Sequence, residues 1–142
     1  MRRELVKNWM TSDIVTIDPD TSLPEAHKLM SDNGIRRLPV IKNGRLIGIV
    51  TRGDVREAEP SEATTLSIWE INYLLARLRI EKIMTRNPKT ISPDATIGQA
   101  ARMMMEQKIS GLPVVDDSSS VVGIITESDI FRMVVQEWDS ND

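Results

Sequence analysis

The chain has 142 residues, 40% of them hydrophobic and 27% charged, which fits one globular domain that buries most of its apolar surface. A formal net charge of −3 gives no support to nucleic-acid binding, which needs a basic face to displace counterions. The chain has no cysteine, which excludes disulfides and thiolate chemistry and fits a reducing, cytoplasmic location.

The first part of the chain predicts a β-α-β-β-α unit. Ser22-Leu-Pro-Glu25 has the form of a capping box and therefore marks a helix start. Asn43-Gly44 suits a tight hairpin turn, because both residues tolerate positive φ angles. The predicted elements are a β segment at Val15–Ile17, a helix from Ser22, strands at Leu38–Lys42 and Arg45–Val50, and a helix from Thr51.

A connecting segment, Glu57–Arg79, follows this unit. It is polar at residues 59–62 and then shows a second capping-box pattern, Ser67-Ile-Trp-Glu70. Apolar residues recur at helical spacing after it, at Ile68, Ile71, Leu75 and Leu78. The segment therefore predicts a loop followed by an amphipathic helix.

The same unit then occurs a second time. When the chain is shifted by 74 positions, Met10–Val40 lies on Met84–Val114, and twelve of those positions are identical where chance gives about two. The identities resume after a one-residue insertion. The second set of predicted elements is a β segment at Thr90–Ile91, a helix from Thr96, strands at Leu112–Asp116 and Val121–Ile125, and a helix from Thr126.

The repeated motifs resemble those of CBS domains. Gly48-Ile-Val-Thr51-Arg-Gly-Asp54 and Gly123-Ile-Ile-Thr126-Glu-Ser-Asp129 are similar to the Gly-h-x-Thr/Ser-x-x-Asp signature, in which h is apolar. The Leu-Pro-Val strand starts at 38–40 and 112–114 fit the same family, as do the Met-Thr pairs at 10–11 and 84–85. The resemblance covers essentially the whole chain.

This resemblance implies a mixed fold, α/β (α+β). Two β-α-β-β-α CBS repeats would pack with pseudo-two-fold symmetry as a Bateman module, with connecting and terminal helices. The expected boundaries are 1–58 for the first repeat with its N-terminal segment, 59–80 for the linker with its helix, and 81–142 for the second repeat.

The resemblance also implies a ligand. Such modules commonly bind AMP, ADP, ATP or S-adenosylmethionine in clefts between the repeats, as regulatory ligands rather than required cofactors. Carried over by motif, one cleft would use Thr126, Ser128 and Asp129 with Arg37 and the backbone near Val15. The other would use Thr51 and Asp54 with Ser110, Gly111 and the backbone near Lys89. Arg36 and Thr85 complete the expected ligand-binding set.

The chemistry of these residues agrees with that role. A carboxylate can accept hydrogen bonds from two vicinal ribose hydroxyls at once. Thr51 and Thr126 stand at helix starts, where free N–H groups favour phosphate, and Arg36 and Arg37 offer planar forks for phosphate oxygens. Because Gly53 stands where the second repeat has Ser128, we expect the Asp129 site to bind its ligand more tightly.

Structural alternatives exist for most of these features. Thr-x-x-Asp is also a helix cap, and Arg36-Arg37 is also compatible with a solvated surface. His27 is expected to be a partly buried helix residue, and the Met103–Met105 run is expected to pack the helix with one exposed flank. The aromatic pairs Trp69/Tyr73 and Trp9/Trp138 are either packed or form a partner surface. The second alternative predicts a homodimer.

The sequence offers no nucleophile–base pair, metal cluster or Gly-rich phosphate loop. Its longest apolar runs are far below the roughly 20 residues of a membrane-spanning helix, and its N-terminus lacks the apolar core of a secretory signal. We therefore expect a non-enzymatic sensor of adenosine-containing ligands that acts on an unknown regulated protein. The alternative is a structural dimerisation or interaction module with empty clefts.

Overall fold

The computed structural model describes residues 4–59 and 65–139, which form the mixed α/β structure of helices and small antiparallel sheets that the sequence predicts. The first part contains α1 (Val6–Trp9), α2 (Leu23–Asn33), β1 (Arg37–Lys42), β2 (Arg45–Thr51), α3 (Arg52–Ala58) and α4 (Ile68–Arg77). A 3₁₀ turn (Ile80–Lys82) and β3 (Thr85–Arg86) lead to α5 (Ile97–Gln107), β4 (Gly111–Val115), β5 (Val121–Thr126) and α6 (Glu127–Asp139).

Side-chain caps begin the helices where the sequence predicts them. The Thr96 hydroxyl accepts the Gln99 N–H at 3.1 Å, and the Gln99 side chain accepts the Thr96 N–H at 2.9 Å, which completes a capping box at α5. The Ser22 hydroxyl accepts the Glu25 N–H at α2, and the Ser67 hydroxyl accepts the Glu70 N–H at α4. Each cap satisfies a backbone donor that the helix itself leaves free.

The two predicted hairpins are present. β1 pairs antiparallel with β2, and β4 pairs antiparallel with β5. The β1–β2 turn has positive φ at both central residues, 52° at Asn43 and 77° at Gly44, as a primed turn requires.

The predicted β segments at Val15–Ile17 and Thr90–Ile91 are shorter than expected. Each consists of one isolated parallel bridge, Ile17 to Val40 and Ile91 to Val114. A proline follows two residues after each bridge, at positions 19 and 93. Proline has no N–H to donate, so neither ladder extends further.

The contacts divide the chain into two compact units. One unit is Val15–Pro88, and the other joins the residues up to Ile14 with those from Lys89 onward. Residues 4–14 and 79–88, which precede the two repeats, are called the lead-in segments below. Each repeat is thus completed by the lead-in segment of the other, and the predicted boundaries 1–58, 59–80 and 81–142 stay a prediction.

The lead-in segments cover strand edges within their units. Thr85 in β3 pairs with Ile49 of β2. In the other unit, Thr11 and Ile124 exchange two backbone hydrogen bonds of 2.9 Å. These pairings occupy backbone groups that would otherwise be open at the edge of each hairpin.

Each unit has its own apolar core. In α5, the apolar residues Ile97, Ala100 and Met104 form a buried stripe. The cores are completed by residues from helices, strands and lead-in segments: Ile17, Leu23, Ala26, Met30, Leu38, Val40, Val50, Val55, Ile80 and Met84 in one unit, and Val6, Ile91, Ile97, Ala100, Met104, Leu112, Val114 and Ile125 in the other. Burial of each large aliphatic side chain stabilises the fold by about 1.5–3 kcal/mol.

His27 does not occupy the buried stripe of α2. Its side chain is 55% exposed, so the prediction of a partly buried histidine is wrong. The imidazole Nδ1 lies 3.3 Å from Glu59 Oε1, which places His27 at the edge of the stripe, facing the residue that follows α3. The methionine run behaves as predicted, since Met104 is buried and Met105 is exposed.

The predicted connecting helix is present as α4. Leu75 and Leu78 pack against the core of their unit, whereas Ile68, at the start of the helix, is exposed. Residues 60–64 of the predicted polar loop lie outside the described residues. No helix in the described ranges has the length and apolar character needed to cross a membrane.

Candidate functional site

Both Thr-x-x-Asp motifs lie where a strand becomes a helix. At the start of α3, the Thr51 N–H donates to Asp54 Oδ2 at 2.8 Å, and the Asp54 N–H donates to Thr51 Oγ1 at 3.1 Å. At the start of α6, the Thr126 N–H donates to Asp129 Oδ2 at 2.8 Å, and the Asp129 N–H donates to Thr126 Oγ1 at 3.4 Å. The motif is therefore a helix cap in both repeats, as the structural alternative requires.

The carboxylates of Asp54 and Asp129 differ in the number of hydrogen bonds that they accept within the protein. Asp129 is 6% exposed; its Oδ2 also accepts the Thr126 hydroxyl at 3.2 Å, and its Oδ1 accepts Arg132 Nη2 at 3.3 Å. Asp54 is only half-buried, and the position equivalent to Arg132 in the first repeat is Glu57. Since a carboxylate has about four acceptor positions, Asp54 keeps more of them available than Asp129.

Arg132 links Asp129 to the lead-in segment of its unit. Its Nη2 donates to the Trp9 carbonyl oxygen at 2.9 Å, and its guanidinium lies 5.9 Å from the centre of the Trp9 ring. The Trp9 Nε1–H in turn donates to Glu4 Oε2 at 3.1 Å. Of the two alternatives for Trp9, the structure supports packing, whereas Trp138 is exposed.

The residues that precede Leu-Pro-Val lie beside the threonine of their own repeat. Arg37 is the register partner of Thr51, and the Arg36 carbonyl accepts the Arg52 N–H at 2.8 Å. In the other unit, Gly111 is the register partner of Thr126, and the Ser110 carbonyl accepts the Glu127 N–H at 3.0 Å. The grouping of these residues across repeats, which the family resemblance implies, stays a prediction.

The remaining expected ligand residues are spread over both units. Val15 is half-buried and packs against the core of Val15–Pro88, so only its backbone is suited to the expected role. Thr85 lies in β3, and Lys89, Ser128 and Thr85 all have exposed side chains. In the described part of the chain, no three His, Cys, Asp or Glu residues come together as a metal site.

The signature glycines and the Met-Thr pairs belong to one structural feature. A Cβ atom at Gly48 would lie 2.6 Å from Met84 Sδ and 3.0 Å from the Thr85 carbonyl oxygen. A Cβ at Gly123 would lie 2.6 Å from Met10 Sδ and 2.9 Å from the oxygen of Thr11. The glycines are needed because a lead-in segment crosses the hairpin there without room for a side chain.

A family comparison agrees with these positions. The model of the CBS domain matches residues 6–61 and 80–136. The chain belongs to the CBS domain family. It is a CBS pair, a type of regulatory module that also occurs as part of larger enzymes.

Curated relatives include larger enzymes that contain a similar segment and a protein of similar length. The CBS pair is 36% identical over 125 residues to an inosine-5′-monophosphate dehydrogenase of Korarchaeum cryptofilum, covering 88% of this chain but 23% of that protein. It is 36% identical to a homoserine O-acetyltransferase of Methanosalsum zhilinae, covering 91% of this chain and 24% of that protein. It is also 35% identical to a CBS domain-containing protein of Dictyostelium discoideum, covering 93% of this chain and 92% of that protein. The chain thus spans about a quarter of the two enzymes.

Similar solved structures contain adenosine compounds. The CBS domain pair of protein MJ0100, in complex with 5′-methylthioadenosine and S-adenosyl-L-methionine, has a TM-score of 0.79 and 33% identity and covers 96% of this chain and 99% of that one. CBSX2 of Arabidopsis thaliana in complex with AMP has a TM-score of 0.79 and 26% identity, with coverage of 95% and 98%.

Proposed function

We propose that this CBS pair is a non-catalytic sensor that binds an adenosine-containing ligand, such as AMP, ADP, ATP or S-adenosylmethionine, and relays its binding to a partner protein. The observation that carries the proposal is the pair of matched aspartates, Asp54 and Asp129, each fixed at a helix start. Similar CBS pairs that hold AMP, or 5′-methylthioadenosine with S-adenosyl-L-methionine, support the choice of ligand class.

The proposed role of both aspartates is to bind the ribose. The backbone N–H of Thr51 fixes the Asp54 carboxylate through one oxygen, which leaves the other oxygen able to accept a ligand hydroxyl. Asp129 is fixed in the same way through Oδ2, and its Oδ1 is shared with Arg132. Because both rotamers are held before ligand arrives, little side-chain entropy is lost on binding.

Arg132 provides a route for the relay. A ribose hydroxyl that binds Asp129 Oδ1 would compete with the Arg132 guanidinium, which also holds the Trp9 carbonyl. Ligand binding would then loosen the lead-in segment around Trp9. Linkage requires only that the ligand bind one of these arrangements better than the other.

Replacing either aspartate is the test of this function. Asp54→Ala and Asp129→Ala are each expected to weaken binding at their own site by roughly 1.5–3 kcal/mol, about tenfold or more, the usual worth of hydrogen bonds to a charged group. Isothermal titration calorimetry against AMP, ATP and S-adenosylmethionine measures the loss. From the sequence, we expect the Asp129 site to be the tighter one.

The control for this titration is Asp117→Ala, an exposed aspartate outside both motifs, which is expected to bind like the wild type. Circular dichroism shows whether each variant keeps its helices after losing a cap. A folded variant of both aspartates with wild-type affinity would remove them from the site. Binding that leaves Trp9 fluorescence unchanged, in a chain with Trp69 and Trp138 replaced by Phe, would contradict the relay.

The second candidate function is dimerisation, supported by an exposed apolar face on α6. Phe131, Val135 and Trp138 follow one another at positions i, i+4 and i+7 and are 65%, 57% and 70% exposed. Trp69 and Tyr73 on α4 are also exposed. We propose a homodimer that covers these residues, since a two-fold pair is the commonest assembly.

The dimer is expected to dissociate when the α6 face becomes polar. A Phe131→Ser/Trp138→Ser variant should scatter light as a 16.0 kDa particle at tens of micromolar protein, whereas the wild type should scatter as twice that mass. Met105→Ser, at another exposed apolar position on a different helix, is the control and should keep the wild-type mass. A wild type of 16.0 kDa at that concentration would exclude the dimer.

A further inference from the structure

All sulfur in this chain is methionine sulfur, since the sequence has eight methionines and no cysteine. The Sδ atoms of Met10 and Met84 hold equivalent positions against the signature glycines of their units. Each lies 2.6 Å from the place of a Cβ atom, at Gly123 for Met10 and at Gly48 for Met84. Each sulfur thus takes the space that a side chain would fill, and each helps to fix a lead-in segment on its hairpin.

The two methionines differ in exposure. Met84 is 8% exposed and belongs to the core of its unit. Met10 is partly exposed and packs against the core of the other unit. A thioether that solvent reaches is open to attack by an oxidant, and a buried one is protected. An oxidant in solution therefore has access to the sulfur of one lead-in segment and is kept from the sulfur of the other.

The residues on both sides of Met10 attach the lead-in segment 4–14 to its unit. Thr11 exchanges two backbone hydrogen bonds of 2.9 Å with Ile124, and the Trp9 carbonyl oxygen accepts Arg132 Nη2 at 2.9 Å. Because Met10 lies between these two attachments, loss of its packing would weaken both. A change at this one sulfur atom therefore acts on the segment from residue 9 to residue 11.

We propose that Met10 is an oxidation site through which a peroxide loosens the lead-in segment at residues 9–11. The thioether sulfur attacks one oxygen of hydrogen peroxide, the O–O bond breaks and an S–O bond forms. The peroxide is reduced to water, and the sulfur is oxidised by two electrons to the sulfoxide. The reaction turns an apolar side chain into a polar one at a position that was filled by sulfur alone.

The sulfoxide does not fit the position of the thioether. At Gly123, the Thr11 carbonyl oxygen already lies 2.9 Å from the Cβ position, so a second oxygen there would meet a like dipole in a space without room for it. Burial of a polar oxygen without a hydrogen-bond donor is also costly. The oxidised side chain therefore turns to water and leaves the glycine uncovered. This inference goes beyond the proposed sensor function, because neither the oxidation nor its effect needs a bound ligand.

Amide hydrogen exchange after treatment with hydrogen peroxide tests the proposal on the full chain. Peptide mapping by mass spectrometry gives the extent of oxidation at each methionine. Once Met10 is oxidised, the Thr11 and Ile124 amides are expected to exchange at least about tenfold faster, which equals roughly 1.4 kcal/mol of local opening free energy. The matched pairing of Thr85 with Ile49 in the other unit is the internal control and should keep its exchange rate.

Two substitutions separate the sulfur from its position. Met10→Leu stays apolar and of similar volume but cannot be oxidised, so its exchange should not respond to peroxide. Met10→Gln is polar like the sulfoxide and should exchange fast without peroxide. Met105→Leu removes a sulfur that is 79% exposed and should respond like the wild type. Circular dichroism before treatment establishes that the variants are folded.

Reduction of the oxidised protein is the last arm of the experiment. A methionine sulfoxide reductase with a dithiol, which becomes a disulfide while the oxygen leaves as water, should restore slow exchange at Thr11. The proposal would be overturned if Met10 stays reduced while Met105 is fully oxidised, or if Met10 sulfoxide leaves the exchange of Thr11 unchanged. A Met10→Leu protein that loosens like the wild type after peroxide would overturn it as well.

Discussion

Met104→Ala is expected to lower the free energy of unfolding by about 2–5 kcal/mol, whereas Met105→Ala should change it by less than about 0.5 kcal/mol. The two methionines are neighbours in α5, but Met104 is 4% exposed and Met105 is 79% exposed. Truncation of Met104 removes apolar contacts and leaves a cavity beside the buried residues of its unit. Urea denaturation followed by circular dichroism measures both values.

The adjacent methionine is a strict control, since residue type, helix and change of helix propensity are the same at both positions. Similar losses at both positions at every protein concentration would contradict the difference in burial between Met104 and Met105. A loss at Met105 that grows with protein concentration would instead show that a second copy covers it. In that case Met105 belongs with the proposed dimer surface of α6.

The secondary structure could be predicted because its signals are local. The caps at Ser22, Ser67 and Thr96 depend on residues three positions apart, and the Asn43-Gly44 turn depends on two neighbours. Hydrophobic periodicity then indicated the connecting helix that is present as α4. These interactions form within single elements, so one sequence with an internal repeat is enough to recognise them.

The exchange of lead-in segments could not be predicted in this way. Thr11 pairs with Ile124, and Thr85 pairs with Ile49, so each contact joins distant parts of the chain. The sequence does show the Met-Thr pairs and the signature glycines as repeated features. What it lacks is any sign that the Met-Thr pair of one repeat lies against the glycine of the other.

The candidate site was only partly visible in the sequence. The Thr-x-x-Asp motifs and their place at helix starts were predicted, and the structure confirms the helix cap that the sequence offered as their structural alternative. Arg132 was missed, although it stands three residues after Asp129, a spacing that brings side chains together on a helix.

Gly123→Val is expected to destabilise the protein by about 3 kcal/mol or more, and Gly48→Val by a similar amount, because each inserts atoms where a lead-in segment already lies. At Gly123, the Cβ alone would stand 2.6 Å from Met10 Sδ and 2.9 Å from the Thr11 carbonyl oxygen. The Met10 side chain can move, but the Thr11 backbone cannot move without loss of its two hydrogen bonds to Ile124.

Gly98→Ala in α5 is the control with the opposite sign: its Cβ would meet nothing closer than 3.8 Å, and alanine should stabilise the helix by up to about 1 kcal/mol. Urea denaturation measures all three, and the double variant Met10→Ala/Gly123→Ala should be little more stable than Gly123→Ala if the backbone contact dominates. A Gly123→Val protein as stable as the wild type would mean that the lead-in segment does not cross the hairpin at this glycine.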